Sequence, residues 1–436
     1  MSDLKSTARH IFSQTLAAID IPAALQHKLA RSGTRIHCSG ATIDLAAFQQ
    51  VRVVALGKAA FAMASGLTDV LAPEFRPLGI LVTPSPTPRL LDGFQIFAAG
   101  HPVPTAQSLA AGRSILDLLA SCDEHTLVFF LLSGGGSALV EAPLDPSLTL
   151  DDIQSLNRLL VTCGAPIDEI NAVRKHLSAV KGGRLAAAAP RSTKLTFGVS
   201  DVPVGRESAL ASGPTLPDPT TVTDAYRVIE QFSLLAKLPP RLRALFDRYV
   251  LIETPKPGDP AFARAHFEIL LGLHDLFHQA HRVAEAAGCV TICDNSTDDW
   301  ALEKSADFLL DQLAQLRRAN PGHRVAVIAD GEVSSPVTGQ GMGGRNSAFV
   351  LYCVERIADQ QVAVLSAGTD GVDGNSLAAG AVADQESFGR ARVIGLDPRR
   401  FFRRSDAYNF FKQLGDAIET GPTGNNLRDL RILLAE

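Results

Sequence analysis

The chain has no apolar run long enough to cross a bilayer: the longest, residues 126–132, falls far short of the ~20 residues such a span needs. Its start, Met1 to Phe12, is mixed polar and charged and lacks the hydrophobic centre of a secretory signal. Long basic runs are missing and the net charge is −5, so the footprint of a nucleic-acid binder is absent. The six cysteines, Cys38, Cys122, Cys163, Cys289, Cys293 and Cys353, form no C-x-x-C pair. Neither a disulfide framework nor an ordinary zinc site is expected from them. No G-x-S-x-G elbow occurs, which weakens a hydrolase reading. These absences give the expectation of a soluble, cytoplasmic protein with no membrane and no nucleic-acid partner.

What is present is an ordinary globular composition, 46% hydrophobic and 20% charged over 436 residues, enough for two or three domains. Short β-branched and apolar runs recur at 51–56, 78–82, 94–98, 126–132, 195–199, 324–329 and 362–366. Several are apolar at consecutive positions, the mark of strands buried on both faces. Between them lie stretches of helical spacing at 59–71, 106–120, 153–161, 273–287, 299–318 and 346–357. Such alternation predicts an α/β fold with a Rossmann-like, mostly parallel sheet and helices on both faces. Turn-rich segments at Asp218-Pro219 and 254–260 suggest a larger amino-terminal domain, 1–260, and a smaller α/β domain, 261–436, with the active site in the cleft between them.

In open parallel sheets ligands bind beyond the carboxyl ends of the strands, so glycines and small polar residues placed there are the first candidates. After the run 126–132 comes Ser133-Gly134-Gly135-Gly136-Ser137. Its N–H groups, with the start of a following helix, suit an anion nest for phosphate. Gly57-Lys58 follows the run 51–56 in the same way, with Lys58 expected in the first turn of a helix. A cation there opposes the macrodipole and is easier to understand if an anion is shared with it. In the stretch 171–184, read as a helix ending at Gly182-Gly183, Arg174, Ser178 and Lys181 would share one face beside His176. Asp330-Gly331-Glu332 leads into a loop with Gly339, Gly341, Gly343 and Gly344 before Arg345, whose fork matches phosphate oxygens. Asp370 and Asp373 stand among glycines after the run 362–366, where carboxylates suit a hydrated Mg²⁺ or a proton acceptor. His274, His278 and His281 fall on one helix at i, i+4, i+7 and read as surface or packing residues. Backbone donors, cations and a few carboxylates, without a nucleophile–base pair, are what phosphoryl transfer needs. A dehydrogenase would need a dinucleotide fingerprint with an acidic ribose partner, and none is recognised.

Taken in order, L-G-K-A-A (56–60), G-H-P-V-P (100–104), S-G-G-G-S-A-L (133–139), V-R-K-H-L-S-A-V-K-G-G-R-L-A (173–186), S-D-V-P (200–203), A-S-G-P-T (211–215), G-x-G-G-R-N (341–346), T-D-G-V-D-G (369–374) and G-P-T-G (421–424) resemble the glycerate 2-kinases that carry a MOFRL domain. The resemblance spans almost the whole chain. It implies transfer of phosphate from ATP to the 2-hydroxyl of D-glycerate with Mg²⁺, and a proposed active-site lysine and arginine that map onto Lys58 and Arg345. Bacterial members often carry the label hydroxypyruvate reductase, which the unrecognised fingerprint argues against. On this reading Lys58, Arg345, Asp201 and Asp370 are catalytic. Ser133, Gly134, Gly135, Gly136, Ser137, Lys181, Gly341, Gly343 and Gly344 hold the nucleotide. Arg174, His176 and Asp373 hold a small hydroxy acid, and Asp201, Asp370 and Glu332 are metal candidates. Val204-Gly205-Arg206, Asn375 and Arg428 depart from the family pattern, so a related sugar acid as substrate, or a sensor without turnover, stays open, as does a homodimer.

Overall fold

The computed structural model describes residues 3–38, 41–203 and 205–436, so the expectations attached to Met1 and Val204 lie outside the described residues. Among these residues fifteen strands form three sheets. A small antiparallel sheet joins β1 (Ala30–Ser32), β2 (Arg35–Cys38) and β3 (Ala41–Asp44). The second contains β4 (Gln50–Leu56), β5 (Leu78–Thr83), β6 (Phe94–Ala98), β7 (Thr126–Ser133), β8 (Thr193–Val199) and β9 (Ala265–Leu271). Its order is β6-β5-β4-β7-β8-β9 and every pairing is parallel. All eight residues of β7 are buried, as the unbroken apolar run predicts for a central strand covered on both faces.

The third sheet contains β10 (Cys289–Asp294), β11 (Arg324–Asp330), β12 (Val362–Gly368), β13 (Gly380–Asp384), β14 (Ala417–Ile418) and β15 (Asp429–Ala435), in the order β10-β11-β15-β12-β13-β14. Only β10 and β11 are parallel neighbours. Strand β15 runs antiparallel between β11 and β12, with Asp330 opposite Leu430 and Gly368 opposite Asp429. The carboxyl ends of β11 and β12 therefore flank the amino end of β15, and this sheet is mixed.

Contacts divide the chain into two compact units, Ile21–Leu271 and, together, the described residues up to Asp20 with Gly272–Glu436. This differs from the division at 260 expected from the sequence in two ways. Strand β9 completes the parallel sheet by pairing with β8, which moves the boundary past it. The helix Leu4–Ala18 buries Leu4, Ala8, Ile11 and Phe12 and packs with β12 and β15, so it belongs to the carboxy-terminal unit. Lys5 on that helix pairs with Asp384 (3.2 Å) and Asp416 (3.0 Å). Among the described residues no helix is long and apolar enough to cross a membrane.

Candidate functional site

The parallel sheet has a topological switch point. From β4 the chain builds outward to β5 and β6, then returns to place β7 on the other side. At such a point the loops leave neighbouring strands in opposite directions and open a crevice. Leu56 at the end of β4 lies in register with Leu132 of β7, so Gly57-Lys58 and the loop 133–137 meet there. Gly57 sits at φ 120°, and a Cβ on it would overlap Ser133 Oγ. Ser133 Oγ accepts the Ala59 N–H (3.0 Å), and the Lys58 N–H donates to Gly134 O (3.0 Å). Lys58 precedes the N-cap Ala59 of the helix Ala60–Leu71, one step before the first turn expected for it. Gly135, at φ 86°, leaves room for the His101 ring and the stem of Lys58, which would lie 3.1 and 3.5 Å from a Cβ there.

No acceptor among the described residues takes the N–H groups of Gly134, Gly135, Gly136 or Ser137. Four donors at the mouth of a switch point, beside a lysine, suit an anion. Ser137 Oγ lies 2.8 Å from Ser212 Oγ. Asp201 follows β8 and is half-buried on the same edge of the sheet.

The basic segment 171–184 folds differently from the single helix expected. The helix Ile167–Leu177 stops at Ser178, because 142–144 pairs against its end: Leu144 N–H donates to Leu177 O (3.0 Å) and Ala179 N–H to Ala142 O (2.6 Å). Lys181 is thus off the helix and fully buried, with Nζ 2.5 Å from Glu141 Oε2. Ser178 donates to Glu141 Oε1 at 2.5 Å. Burial pushes the Lys181 ammonium below its ordinary range, against the pull of Glu141. An ammonium so enclosed is not offered to a nucleotide. His176 is likewise sealed, with Nδ1 on Ala172 O (2.7 Å) and Nε2 on Glu253 (2.9 Å), so it holds no substrate. Arg174 keeps an open donor: no acceptor among the described residues reaches its buried Nε, and burial holds its guanidinium below the usual range.

The carboxy-terminal unit gathers charge where β11, β15 and β12 meet. Arg345 Nε binds Asp429 Oδ2 (2.5 Å) and its Nη1 pairs with Glu332 (2.8 Å). Burial opposes its charge, but the two carboxylates outweigh that and hold the guanidinium above its ordinary range. Glu332, expected as a metal ligand, is thus an ion-pair partner. Arg431, wholly buried on β15, donates to Asp330 O (3.1 Å) and Gly331 O (2.8 Å) and fixes the turn that carries Glu332. Arg428 donates to Asp298 (2.8 Å). Asp330 is 1% exposed and neither carboxylate oxygen has a hydrogen-bond partner among the described residues. Burial, aided by Asp298, raises it to about 6 against Arg428 and Arg431. Asp370 lies on the loop after β12, its carboxylate accepting the Val372 N–H (3.0 Å).

The loop 339–344 is closed rather than open. Gly341 N–H donates to Arg404 O (3.0 Å), Met342 to Asp406 (2.9 Å), Gly343 to Asn375 (2.8 Å) and Gly344 to Asp373 (3.1 Å). Gly341, Gly343 and Gly344 therefore have no N–H left for phosphate, which corrects their expected role. Asp373 also takes the N–H groups of Asn346 (2.9 Å) and Ser347 (2.9 Å) and the Ser347 hydroxyl (2.6 Å). It caps the helix Arg345–Cys353 from another loop and has no capacity left for substrate. Residues 339–344 do match the letters G-x-G-x-x-G, which the sequence reading passed over. The match is not a dinucleotide fingerprint, because β11 ends at Asp330 and the glycines do not turn directly from a strand into a helix.

Among the described residues no three His, Cys, Asp or Glu side chains gather as a metal site. The His274, His278 and His281 trio lies on the helix Leu273–Ala286, where His281 Nδ1 is 3.7 Å from Cys293 Sγ. Glu141, Ser212, Asp298, Asp429 and Arg431 are not singled out by the sequence, and Asn171 and Asp330 stand in candidate stretches without a role of their own. The partners of Ser212 and Arg431 are far away in the chain, which leaves no local signal for either.

Comparison with known proteins gives one family. Residues 7–247 match the model described as a domain of unknown function, DUF4147, and residues 325–429 match the MOFRL family. The chain is 35% identical to the D-glycerate 2-kinase of Thermotoga maritima, over 88% of this chain and 90% of that one. It is 36% identical to a putative hydroxypyruvate reductase of Agrobacterium vitis, over 88% and 86%. The crystal structure of the Thermotoga maritima glycerate kinase superposes with a TM-score of 0.83 at 32% identity, covering 99% of each chain. With a parallel switch-point unit followed by a MOFRL unit, and relatives of this identity along nearly its whole length, the chain belongs to the glycerate 2-kinase family.

Proposed function

We propose that the chain is an ATP-dependent glycerate 2-kinase, moving the terminal phosphoryl group of ATP to the 2-hydroxyl of D-glycerate and leaving ADP and 2-phosphoglycerate. The observation that carries this is the set of four N–H groups at 134–137 that no acceptor among the described residues takes, beside Lys58 at the β4/β7 switch point. Phosphoryl transfer is catalysed mainly by positioning and charge neutralisation, and these groups supply both. Lys58 and the loop would bind the phosphates, and Arg345, pre-oriented by Asp429 and Glu332, would present its remaining donors to anionic oxygen. Arg174 is the substrate-carboxylate candidate: its Nε, like that of Arg184, has no acceptor among the described residues, but Arg184 is tied through Nη2 to the Ile252 and Glu253 carbonyls.

Mg²⁺ usually binds proteins through one or two carboxylates plus substrate phosphates, so a cluster of three ligands is not required. Asp201 and Asp370 fit that demand, each on a loop at the carboxyl end of a strand, and bound Mg²⁺ would neutralise phosphate charge. Whichever aspartate does not hold the metal is the candidate acceptor for the substrate hydroxyl proton.

The test is ADP release from Mg·ATP with D- and L-glycerate, tartrate, tetronates and hydroxypyruvate. Turnover fastest with D-glycerate is expected. NADH oxidation by hydroxypyruvate with no use of ATP overturns the reading. Lys58→Ala should lower kcat/KM at least ~100-fold, the usual loss for a removed transition-state donor.

A further inference from the structure

Residues 211–213 pass through the left-handed region three times in succession, Ala211 at φ 51°, Ser212 at 62° and Gly213 at 58°. Only glycine does this freely. Alanine and serine held there are strained, and such strain survives where the surroundings enforce it, characteristically at functional sites. Here the enforcement is three backbone bonds: Gly182 N–H to Ser212 O (3.0 Å), Gly183 N–H to Gly213 O (2.7 Å) and Leu185 N–H to Pro214 O (3.0 Å). The Ala211 methyl also fills the space a Cβ on Gly136 would need, 2.8 Å away, so the turn is wedged against the short helix Gly136–Leu139.

The strained turn delivers the Ser212 hydroxyl, 1% exposed, to Ser137 Oγ at 2.8 Å and to Asn171 Oδ1 at 3.5 Å. Asn171 is one helical turn ahead of Arg174 on the helix Ile167–Leu177. A chain Asn171–Ser212–Ser137 thus runs from the helix that carries the open arginine to the last residue of the open glycine loop. Ser137 itself is half-buried, in contrast to the enclosed Ser212. Either hydroxyl can donate in the 2.8 Å pair: with no ligand Ser212 gives its proton to Asn171 and takes that of Ser137, and with a phosphate present Ser212 donates to Ser137 and leaves the Ser137 proton for the phosphate oxygen.

We propose that Ser212 is a positioning residue: held by the left-handed turn and by Asn171, it orients the Ser137 hydroxyl and with it the end of the loop 133–137 for the donor phosphates. This rests on the glycerate kinase reading. The experiment compares Ser212→Ala, Ser212→Gly, Ser137→Ala and the double variant Ser137→Ala with Ser212→Ala, measuring kcat, KM for ATP, KM for D-glycerate and melting temperature. Ser212→Gly removes the hydroxyl but suits the left-handed backbone, so it separates lost orientation from lost stability. Both Ser212 variants are expected to lower kcat/KM for ATP about tenfold or more, the loss of one good hydrogen bond in the transition state, with KM for D-glycerate moving less. The double variant should be no worse than the more impaired single one, since both remove one interaction. Parental kcat/KM in Ser212→Gly, or losses that multiply in the double variant, overturn the inference. If the parent protein turns over ATP with none of the acids, the functional reading fails and takes the inference with it. An active parent matched by its variants sinks the inference alone.

Discussion

Two glycine loops in this chain look alike on paper and differ in what their backbones do. In 133–137 three glycines and Ser137 leave four N–H groups without an acceptor among the described residues, at a switch point where the parallel sheet opens a crevice. In 341–344 the N–H groups are consumed by Arg404, Asp406, Asn375 and Asp373, and the glycines are there because side chains would not fit. A count of glycines cannot tell a receptor from a strap. The accounting of where each buried backbone donor goes does.

The largest effect that sharpens this contrast is on activity. Gly135→Ala places a methyl 3.1 Å from the His101 ring and 3.5 Å from the Lys58 stem, and φ 86° disfavours any side chain. We expect about a 100-fold fall in kcat/KM, of the size seen when a transition-state donor is displaced, with roughly 1 kcal/mol of lost stability. Gly344→Ala is the mirror case. Its backbone, at φ −143°, suits any residue, but a Cβ would overlap the Asp373 carboxylate that caps the helix Arg345–Cys353. A loss of roughly 1–3 kcal/mol is expected in urea unfolding, as for other overpacked interiors, while the Gly135 variant loses mainly turnover. If Gly344→Ala instead folds normally and loses nucleotide binding, the strap is a receptor after all.

A second contrast lies inside the carboxy-terminal charge cluster. Arg345 has two carboxylate partners, whereas Asp330 has none for its own oxygens among the described residues. Burial raises the Asp330 carboxyl from 3.8 to about 6. A carboxyl whose folded value is raised binds its proton more tightly in the native state than in the unfolded chain. Its contribution therefore favours folding at acid pH and is lost as pH rises from about 4 to about 6. Asp330→Asn cannot ionise, so its stability relative to the parent should improve by on the order of 2 kcal/mol across that window and then stay level. Urea unfolding of both proteins from pH 4 to 7 reads this directly. A flat difference, or one of opposite sign, would mean that Asp330 finds a charge partner in solution.

The same bookkeeping explains what was legible in the sequence. Strands β4, β5, β7, β8, β11 and β12 announced themselves by consecutive apolar residues, and a parallel strand that must turn into a helix leaves a glycine, so Gly57-Lys58 and 133–137 could be found. The pairing of Lys181 with Glu141, or of Arg345 with Asp429, left no such trace, because partners 40 and 84 residues apart have no shared periodicity. Strand β15 was missed as the centre of its sheet: its neighbours β11 and β12 are set by long-range register, not by local pattern. Polar residues in a motif read as ligand-facing, and His176 and Asp373 are two such residues. Their hydrogen bonds turn inward, which only the fold decides.

The smallest effect separates two arginines that the sequence put in one class. Arg206 and Arg428 both depart from the family pattern and both were candidates for choosing a more anionic acid. Arg428 is largely buried and donates to Asp298 within the charge cluster, whereas Arg206 pairs with Asp168 on the surface, where both side chains are about half exposed. An exposed pair of this kind contributes about 0–1 kcal/mol and is screened by salt. Arg206→Ala should therefore shift stability by less than ~1 kcal/mol and leave the order of preference among hydroxy acids unchanged. Arg428→Ala, which leaves Asp298 without its cation beside Asp330, should cost more and alter turnover. An inverted result, with Arg206→Ala changing which acid is phosphorylated best, would mean that its guanidinium leaves Asp168 for the substrate and that specificity is set at the surface end of the loop after β8.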